Sequence, residues 1–477
     1  MIDPVESLIN EALRAADRLK LTSENIRVVS HYDCDGISSG AIMVKALKRA
    51  GKKFQLSMIK QLGRGELEKI CKKEYNFFVF LDIGAGQLDI IQELIPEAPV
   101  IISDHHQPQG YIKPENAERI LHINPTHFGI TENISGSGTT YLIARAMDPE
   151  NKDLSELGII GAIGDSQIGS IGPDWGLAGL NREILKDAET TGKLEVSKGL
   201  RLWGMNTRPV HKTLEYSSNP NIPGISGSES SSIQFLQEMN IELKNGDGDW
   251  RTLSELTKNE HMRLASGIIR ERIRGDEDNP EEVFGDVYEL KSRTGIFSNA
   301  NEFATMLNAC GKLYKAYLGV ALCLHDDKSG KEVKTLLRRY RREIGKALSL
   351  VNKTEGMIKT EENANYILAG DQISEHIISN ITSILSRSGE IPLKPTFALV
   401  DAEDEKVKIS ARASDEDVKN GINLKEILTE ATKEVGGEGG GHKGSAGGTI
   451  PRGTVETFIN CTNTILKNIQ AVEVKNG

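Results

Sequence analysis

Five aspartates and three histidines fall into four short polar segments, each placed where an apolar run ends. The segments are His31-Tyr32-Asp33-Cys34-Asp35-Gly36, Asp82, Asp104-His105-His106 and Gly164-Asp165. Carboxylates crowded together repel, and some must hold protons unless cations sit among them. A mixed Asp/His set suits Mn2+, Mg2+ or Zn2+, and this many ligands exceeds the needs of one site. Two cations about 3.5–4 Å apart, sharing a carboxylate, account for the number; such a pair generates a nucleophile at neutral pH and clamps an in-line phosphoryl displacement. Each segment alone has a plainer reading. His31-x-Asp33-x-Asp35-Gly36 can be a turn with a capping aspartate, and Asp82 can cap the helix after it. Two adjacent histidines after a buried run fit a core less easily, and the four segments together point to metal.

The elements that must carry these residues can be read from periodicity. Residues 26–29, 77–81, 100–102 and 120–123 are short apolar runs of strand type, and 5–19, 37–50 and 87–95 are helical. Alternation of this kind predicts an α/β fold with a doubly wound parallel sheet, whose ligands collect beyond the carboxyl ends of the strands. The expected division is a catalytic domain over 1–295, a helical connector over 296–355 and a smaller mixed α/β domain over 356–477. From about residue 210 the first domain is expected to be loop-rich, because stretches such as Asn219-Pro220-Asn221-Ile222-Pro223-Gly224 break the periodicity. The connector carries eight Lys/Arg between Lys328 and Lys346 against Glu332 and Glu343, which fits either a solvated helix face or a track for phosphates. Near the end, eight of the thirteen positions from Gly436 to Gly448 are glycine. Consecutive glycines let backbone N–H groups approach a phosphate as an anion nest. The alternative is a flexible linker. Lys443 follows His442 where a Walker loop needs glycine. Arg412, after the strand-like residues 407–410, is a second candidate phosphate or sugar contact.

Composition narrows the classes. The 477 residues carry 58 Lys+Arg against 68 Asp+Glu, a formal charge of −10, so the chain does not coat duplex nucleic acid over its whole surface, although a local basic groove remains open. No run approaches the roughly 18 apolar residues of a membrane span. The opening Met1-Ile2-Asp3-Pro4-Val5-Glu6 has acids where a secretory signal has Lys or Arg. The five cysteines are scattered with no C-x-x-C, which argues against structural zinc and a disulfide framework; a cytoplasmic location is expected. Cys34 sits among acids, which disfavour a thiolate.

His31-x-Asp33-x-Asp35-Gly36, Leu81-Asp82, Ser103-Asp104-His105-His106 and Gly164-Asp165 resemble, in order, the four motifs of the DHH phosphoesterase superfamily. Ser410-Ala411-Arg412 and Gly439-Gly440-Gly441-His442-x-x-x-Ala446-Gly447 resemble its DHH-associated domain. Leu307-Asn308-Ala309-Cys310-Gly311-Lys312 is similar to the N-A-x-G-R element of RecJ-type exonucleases, with Lys in place of Arg. Length and layout favour the archaeal RecJ-like nucleases, including the GINS-associated type. The resemblance implies that His31, Asp33 and Asp82 hold one metal, and Asp35, Asp82, His105 and Asp165 the other, with Asp82 bridging. It implies that His106 donates to the scissile phosphate and that Asp104 orients the histidines from behind. Asn308, Ser410, Arg412, Gly440, Gly441 and His442 would contact substrate. The implied activity is a two-metal exonuclease, Mn2+ being the first choice and Mg2+ the second. It would work processively from one end of single-stranded DNA or RNA, in replication or repair, with the GINS complex and the replicative helicase as partners and no membrane. The alternatives are a small-substrate phosphoesterase of the oligoribonuclease or pAp-phosphatase kind, and a replisome subunit with reduced catalysis.

Overall fold

The structure is a computed structural model that describes residues 3–72, 75–130, 133–169, 176–217, 220–277, 279–388 and 391–476; Asn219, at the start of the Pro/Gly-rich stretch, lies outside them. The chain forms two compact units, Met1–Leu336 and Leu337–Gly477.

In the first unit, helix α1 (Pro4–Leu21) opens on an Asp3 cap and a proline in its first turn, and it buries Leu8, Ala12, Ala15, Ala16 and Leu19. Strands β1 (Ile26–His31), β2 (Phe54–Ile59), β3 (Phe77–Leu81), β4 (Val100–Ser103) and β5 (Ile120–Ile123) form a parallel sheet in the order β2-β1-β3-β4-β5. β3, Phe-Phe-Val-Phe-Leu, is buried throughout, as a central strand covered on both faces requires. β2 was absent from the sequence-based expectation. It is an edge strand whose Gln55 and Ser57 interrupt the apolar run, so it lacks the continuous signal of its neighbours.

One face of the sheet carries α3 (Arg64–Cys71) and α4 (Leu88–Leu94), packed around Val29, Phe78, Phe80, Ile102, Leu67 and Ile91. α2 (Cys34–Arg49), α5 (Gly136–Met147), α6 (Ser155–Gly164) and α7 (Gly179–Thr190) pack successively with α1 and the strands to complete the doubly wound architecture.

The loop-rich expectation from residue 210 onward is corrected. Strands β6 (Leu194–Leu200) and β7 (Phe284–Leu290) pair antiparallel and close the base of a small module. It contains α8 (Val210–Glu215), α9 (Glu229–Glu238) and α10 (Lys258–Arg274), and a core of its own that includes Val210, Leu214, Ile222, Phe235, Leu236, Leu264 and Ile268. Much of that core comes from turns and short helices, so no single period marks it in the sequence. α10 is nevertheless a full helix, opened by a Thr257/Glu260 capping box. Residues 296–355 hold α11 (Ala300–Lys312), α12 (Ala316–Cys323) and α13 (Asp327–Lys353); α11 and α12 pack on α2.

In the second unit β8 (Ile358–Thr360), β9 (Asn365–Gly370), β10 (Thr396–Ala402), β11 (Lys406–Arg412), β12 (Glu438–Gly441) and β13 (Ser445–Pro451) form a mixed sheet in the order β12-β13-β11-β10-β9-β8. α14 (Ile378–Ser388) packs on β10 and β11, while α16 (Leu424–Glu434) packs on β12 and β13 and against α17 (Val455–Asn476); α15 (Asp415–Lys419) is a short turn of helix between. Tyr366, Phe397 and Phe458 fill the core between strands and helices, with centroid separations of 5.5 Å and 6.3 Å along the row.

Candidate metal centre

All six residues expected as metal ligands come together at the carboxyl edge of the parallel sheet. β1 ends at His31. Asp33 caps α2, its carboxylate accepting from Gly36 N–H at 3.0 Å, so the capping reading of this residue holds, and the cap leaves it beside His31. Asp35 lies in the first turn of α2 and reaches across to the start of α5, where Gly136 N–H and Ser137 N–H donate to it at 2.6 Å and 2.9 Å. The positive end of that helix steadies the carboxylate. Asp82 follows β3 in the left-handed region, φ 55°, which is uncommon outside glycine. It caps no helix, because the following turns are entered through Gly84 and Gln87. Asp104 follows β4, and Asp165 closes α6.

The ligand atoms are near one another. His31 Nδ1 lies 3.1 Å from Asp33 Oδ1 and 3.4 Å from Asp82 Oδ2. His105 Nε2 lies 3.5 Å from Asp82 Oδ1, 3.6 Å from Asp165 Oδ2 and 3.7 Å from Asp35 Oδ2. Among the described residues, the triplets His31/Asp33/Asp82, Asp35/His105/Asp165 and Asp82/His105/His106 each bring their ligand atoms within 4.8 Å of one another. Asp82 belongs to two of these. Both Asp82 oxygens, His31 Nδ1 and His105 Nε2 are buried without a hydrogen-bond partner. Orphaned buried polar atoms are costly, and four of them, two on Asp82 and one on each histidine beside it, fit a cation-binding centre.

The electrostatics agree. Burial, followed by the Asp35 and Asp33 charges, pushes the Asp82 carboxyl up to about 7. Burial and Asp35 raise Asp165 to about 6. Burial works against the His105 imidazolium, but Asp82, Asp35 and Asp165 outweigh it and carry that ring to about 10. Asp33 and Asp82 likewise lift His31 against its burial. Without cations, protons take their place; the site is built for positive charge.

His106 differs from His105. Its side chain is 50% exposed against 14%, and its Nδ1 sits 2.8 Å from Asp104 Oδ1. Asp104 is buried and takes further hydrogen bonds from Ala85 N–H, His105 N–H and His106 N–H. The carboxylate thus fixes the His106 ring, which it lifts to about 9, but it touches only the backbone of His105. The His105 ring is flanked instead by Gln167, whose amide nitrogen lies 3.3 Å from Nδ1 and donates to Asp165 Oδ2 at 2.8 Å. Gln167 carried no signal in the sequence. Nor did the close approaches that demand glycine: a Cβ on Gly136 would fall 2.6 Å from Asp82 Oδ1, and one on Gly161 2.4 Å from Asp35 Oδ1. Burial and Asp33 push the Cys34 thiol well up, which leaves it inert.

Asn308 is tied into the protein itself. It was expected at the substrate, yet its Oδ1 accepts from Cys34 N–H at 2.9 Å and its Nδ2 donates to Gly164 O at 3.3 Å. Both ends are spent tying the first metal segment to the last. Asn308→Ala is therefore expected to weaken divalent-ion binding roughly 10–100-fold, the usual effect of removing a group behind the ligands, as read by calorimetric titration.

The remaining candidates lie on adjacent strands of the second unit. Arg412 ends β11, opposite Ser445 on β13, and donates to Ser383 Oγ at 2.8 Å and Ala411 O at 2.7 Å. His442 is exposed in the turn between β12 and β13 and its N–H donates to Ser445 O at 2.8 Å; Ser410 is buried on β11. The glycine cluster is neither a contiguous nest nor a linker. Gly439, Gly440, Gly441, Gly447 and Gly448 are strand residues of a hairpin. Glycine is required because a Cβ on Gly439 would fall 2.8 Å from Leu428 O of α16, and one on Gly448 2.7 Å from Glu438 O. Gly440 has open space where its Cβ would be.

Residues 25–162 match the N-terminal domain of the DHH family, 202–281 the DHH-CID domain and 363–468 the DHHA1 domain. An uncharacterized protein of Methanocaldococcus jannaschii is 30% identical over 450 residues, spanning 92% of this chain and 93% of the relative. The single-stranded-DNA-specific exonuclease RecJ of Thermus thermophilus is 27% identical over 207 residues, 41% of this chain and 28% of that protein. In fold, the chain is similar to Mn2+-bound RecJ from the same organism (TM-score 0.59, 17% identity, covering 97% of this chain and 55% of that one) and to CDC45 from Entamoeba histolytica (0.63, 13% identity, 97% and 98%). Among the described residues no helix is long and apolar enough to cross a membrane. The chain belongs to the DHH phosphoesterase superfamily and is RecJ-like.

Proposed function

We propose that the chain is a metal-dependent exonuclease that removes nucleotides from one end of single-stranded DNA or RNA. The observation that carries this is the gathering of Asp82, His31 and His105, whose buried ligand atoms have no hydrogen-bond partner, from the ends of two adjacent strands and the loop after a third. His31, Asp33 and Asp82 would hold one cation, and Asp35, Asp82, His105 and Asp165 the second, with Asp82 shared. Two divalent cations, Mn2+ or Mg2+, would supply the activated water and the positive charge that phosphoryl displacement requires. The rest falls to the chain's own groups. Asp104 fixes the His106 ring through Nδ1 and keeps it protonated, leaving Nε2 to donate to a phosphate oxygen. Arg412 and Ser410, with His442 and the edge of β12 near Gly440 and Gly441, would grip a phosphate or sugar.

The likeness in fold to CDC45 favours a second role beside the first. In it the chain also serves as a replisome subunit, docking on the GINS complex and the replicative helicase. A scaffold alone has no use for crowded carboxylates, so catalysis is retained in this reading.

DNA and RNA single strands labelled at either end, digested with Mn2+, Mg2+ or EDTA and sized at early times, test the activity. Mononucleotides are expected from one labelled end only, and none in EDTA. Equal kcat/KM for a dinucleotide and a 10-mer would leave the small-substrate phosphoesterase standing instead. Arg412→Ala and His442→Ala should keep their metal while losing roughly ten- to a few-hundred-fold in kcat/KM, since each removes a contact worth about 1.5–3 kcal/mol. Metal loss in either variant would contradict the assignment.

A further inference from the structure

Tyr314 occupies a position that the backbone reserves for glycine. α11 ends in a Schellman turn: Tyr314 N–H donates to Gly311 O at 2.8 Å, and Lys315 N–H donates to Cys310 O at 2.8 Å. The first residue past the cap of such a turn must adopt a left-handed conformation, and Tyr314, at that place, does so with φ 54°. A bulky side chain there carries strain that glycine would avoid. The ring nevertheless makes no core, being 54% exposed.

Its surroundings point to a ligand. Gly311, three residues earlier, lies so close to the first metal segment that a Cβ would fall 2.0 Å from Tyr32 O. Tyr32 in turn packs edge-on against His31, with ring centroids 5.0 Å apart. From the other side, Lys60 follows Ile59, the residue in register with His31 across β1 and β2, and its ammonium lies 6.0 Å from the centre of the Tyr314 ring. An exposed, strained aromatic ring therefore stands beside the metal-bearing loop with a cation over it. The pattern repeats one turn later, where Lys315 lies 5.6 Å from the centre of the Tyr317 ring, itself 57% exposed. Aromatic rings interleaved with ammonium groups suit a single strand, whose bases stack on the rings while its phosphates meet the cations. Acidic peptides would satisfy the lysines but leave the rings in water.

We infer that Tyr314 is a stacking platform for a nucleobase of the single strand, set beside the metal centre by the Schellman turn and backed by Lys60. The inference rests on the single-strand reading above and adds where a base is held. It also explains the strain, because a glycine would settle the turn but offer nothing to stack on.

The test uses the full chain in EDTA, so that no cleavage intervenes, and oligonucleotides carrying 2-aminopurine at each of the terminal positions in turn. Stacking quenches this fluorophore. Wild type should quench it strongly at one position. Tyr314→Gly should lose that quench and bind roughly tenfold more weakly, with a melting temperature equal to or above that of wild type. Tyr314→Phe, which keeps the ring and the strain, should retain both quench and affinity. Unchanged quench and affinity in Tyr314→Gly would overturn the inference, as would a lowered melting temperature, which would make the ring a structural prop. Failure of wild type to bind any oligonucleotide would instead sink the single-strand reading itself.

Discussion

Asp82→Asn is expected to lower kcat by about four orders of magnitude while the fold survives, because in the proposed function this carboxylate would be shared by both cations and would organise the charge that removes most of the barrier. The substitution is nearly isosteric, and asparagine tolerates the left-handed backbone that Asp82 adopts at φ 55°. Asp89, an exposed carboxylate on α4, is the control and should tolerate the same change. Near-wild-type turnover by Asp82→Asn under saturating Mn2+ would remove the two-metal assignment.

The same variant makes an independent statement about the metal-free protein. Burial and the charges of Asp35 and Asp33 raise the Asp82 carboxyl to about 7 in the folded state, against about 4 in an unfolded chain. A carboxyl raised on folding contributes stability that is fully present below the unfolded value and is lost as pH rises through the folded one. At about pH 8 the buried charge, crowded by Asp35 and Asp33, therefore destabilises the wild type by a few kcal/mol, and asparagine removes that penalty. Metal-free Asp82→Asn should melt higher than metal-free wild type at about pH 8, with the gap closing toward pH 4. Saturating Mn2+ should reverse the order, since only the wild type retains the full set of ligands. Thermal melts across that pH range, with and without metal, check both signs.

His106→Ala should retain its metal and lose roughly 10²–10³ in kcat, the usual worth of one donor to a developing charge. His105→Ala should lose metal and activity together, because its Nε2 faces Asp82, Asp35 and Asp165. The reason His106 can donate lies in Asp104. The 2.8 Å contact to Nδ1 raises the imidazole to about 9, so activity should fall as pH climbs through that value. Asp104→Asn weakens the hold and should move this alkaline limb toward the ordinary histidine value near 6.5. Loss of a full metal equivalent from His106→Ala, or an unmoved limb in Asp104→Asn, would contradict these roles.

The six candidate ligands were legible because a parallel sheet writes itself plainly. Its inner strands are covered on both faces, so Phe77–Leu81 and Val100–Ser103 read as apolar runs, and the polar residue that ends each run falls at the edge where such sheets place their ligands. What the order of residues could not carry was anything set by contacts between distant segments. Gln167 beside His105, the α5 amides that hold Asp35 and the bond from Asn308 to Cys34 N–H join positions 62, 101 and 274 residues apart. None of the partners is unusual in its own neighbourhood. The module between β6 and β7 was hidden for a related reason: its core is gathered from turns as much as from helices, and turns have no period.

The glycine cluster draws the line most sharply. By itself the sequence determined that residues 436–448 are dominated by glycine, and it left two readings open, a backbone nest for a phosphate and a flexible linker. Whether they approach a phosphate or a helix is a question of what lies opposite. Only the tertiary structure decided that α16 lies there, with Leu428 O where a Cβ on Gly439 would stand, so that close packing around the hairpin accounts for Gly437, Gly439, Gly441 and Gly448, because atoms already stand where their Cβ would be.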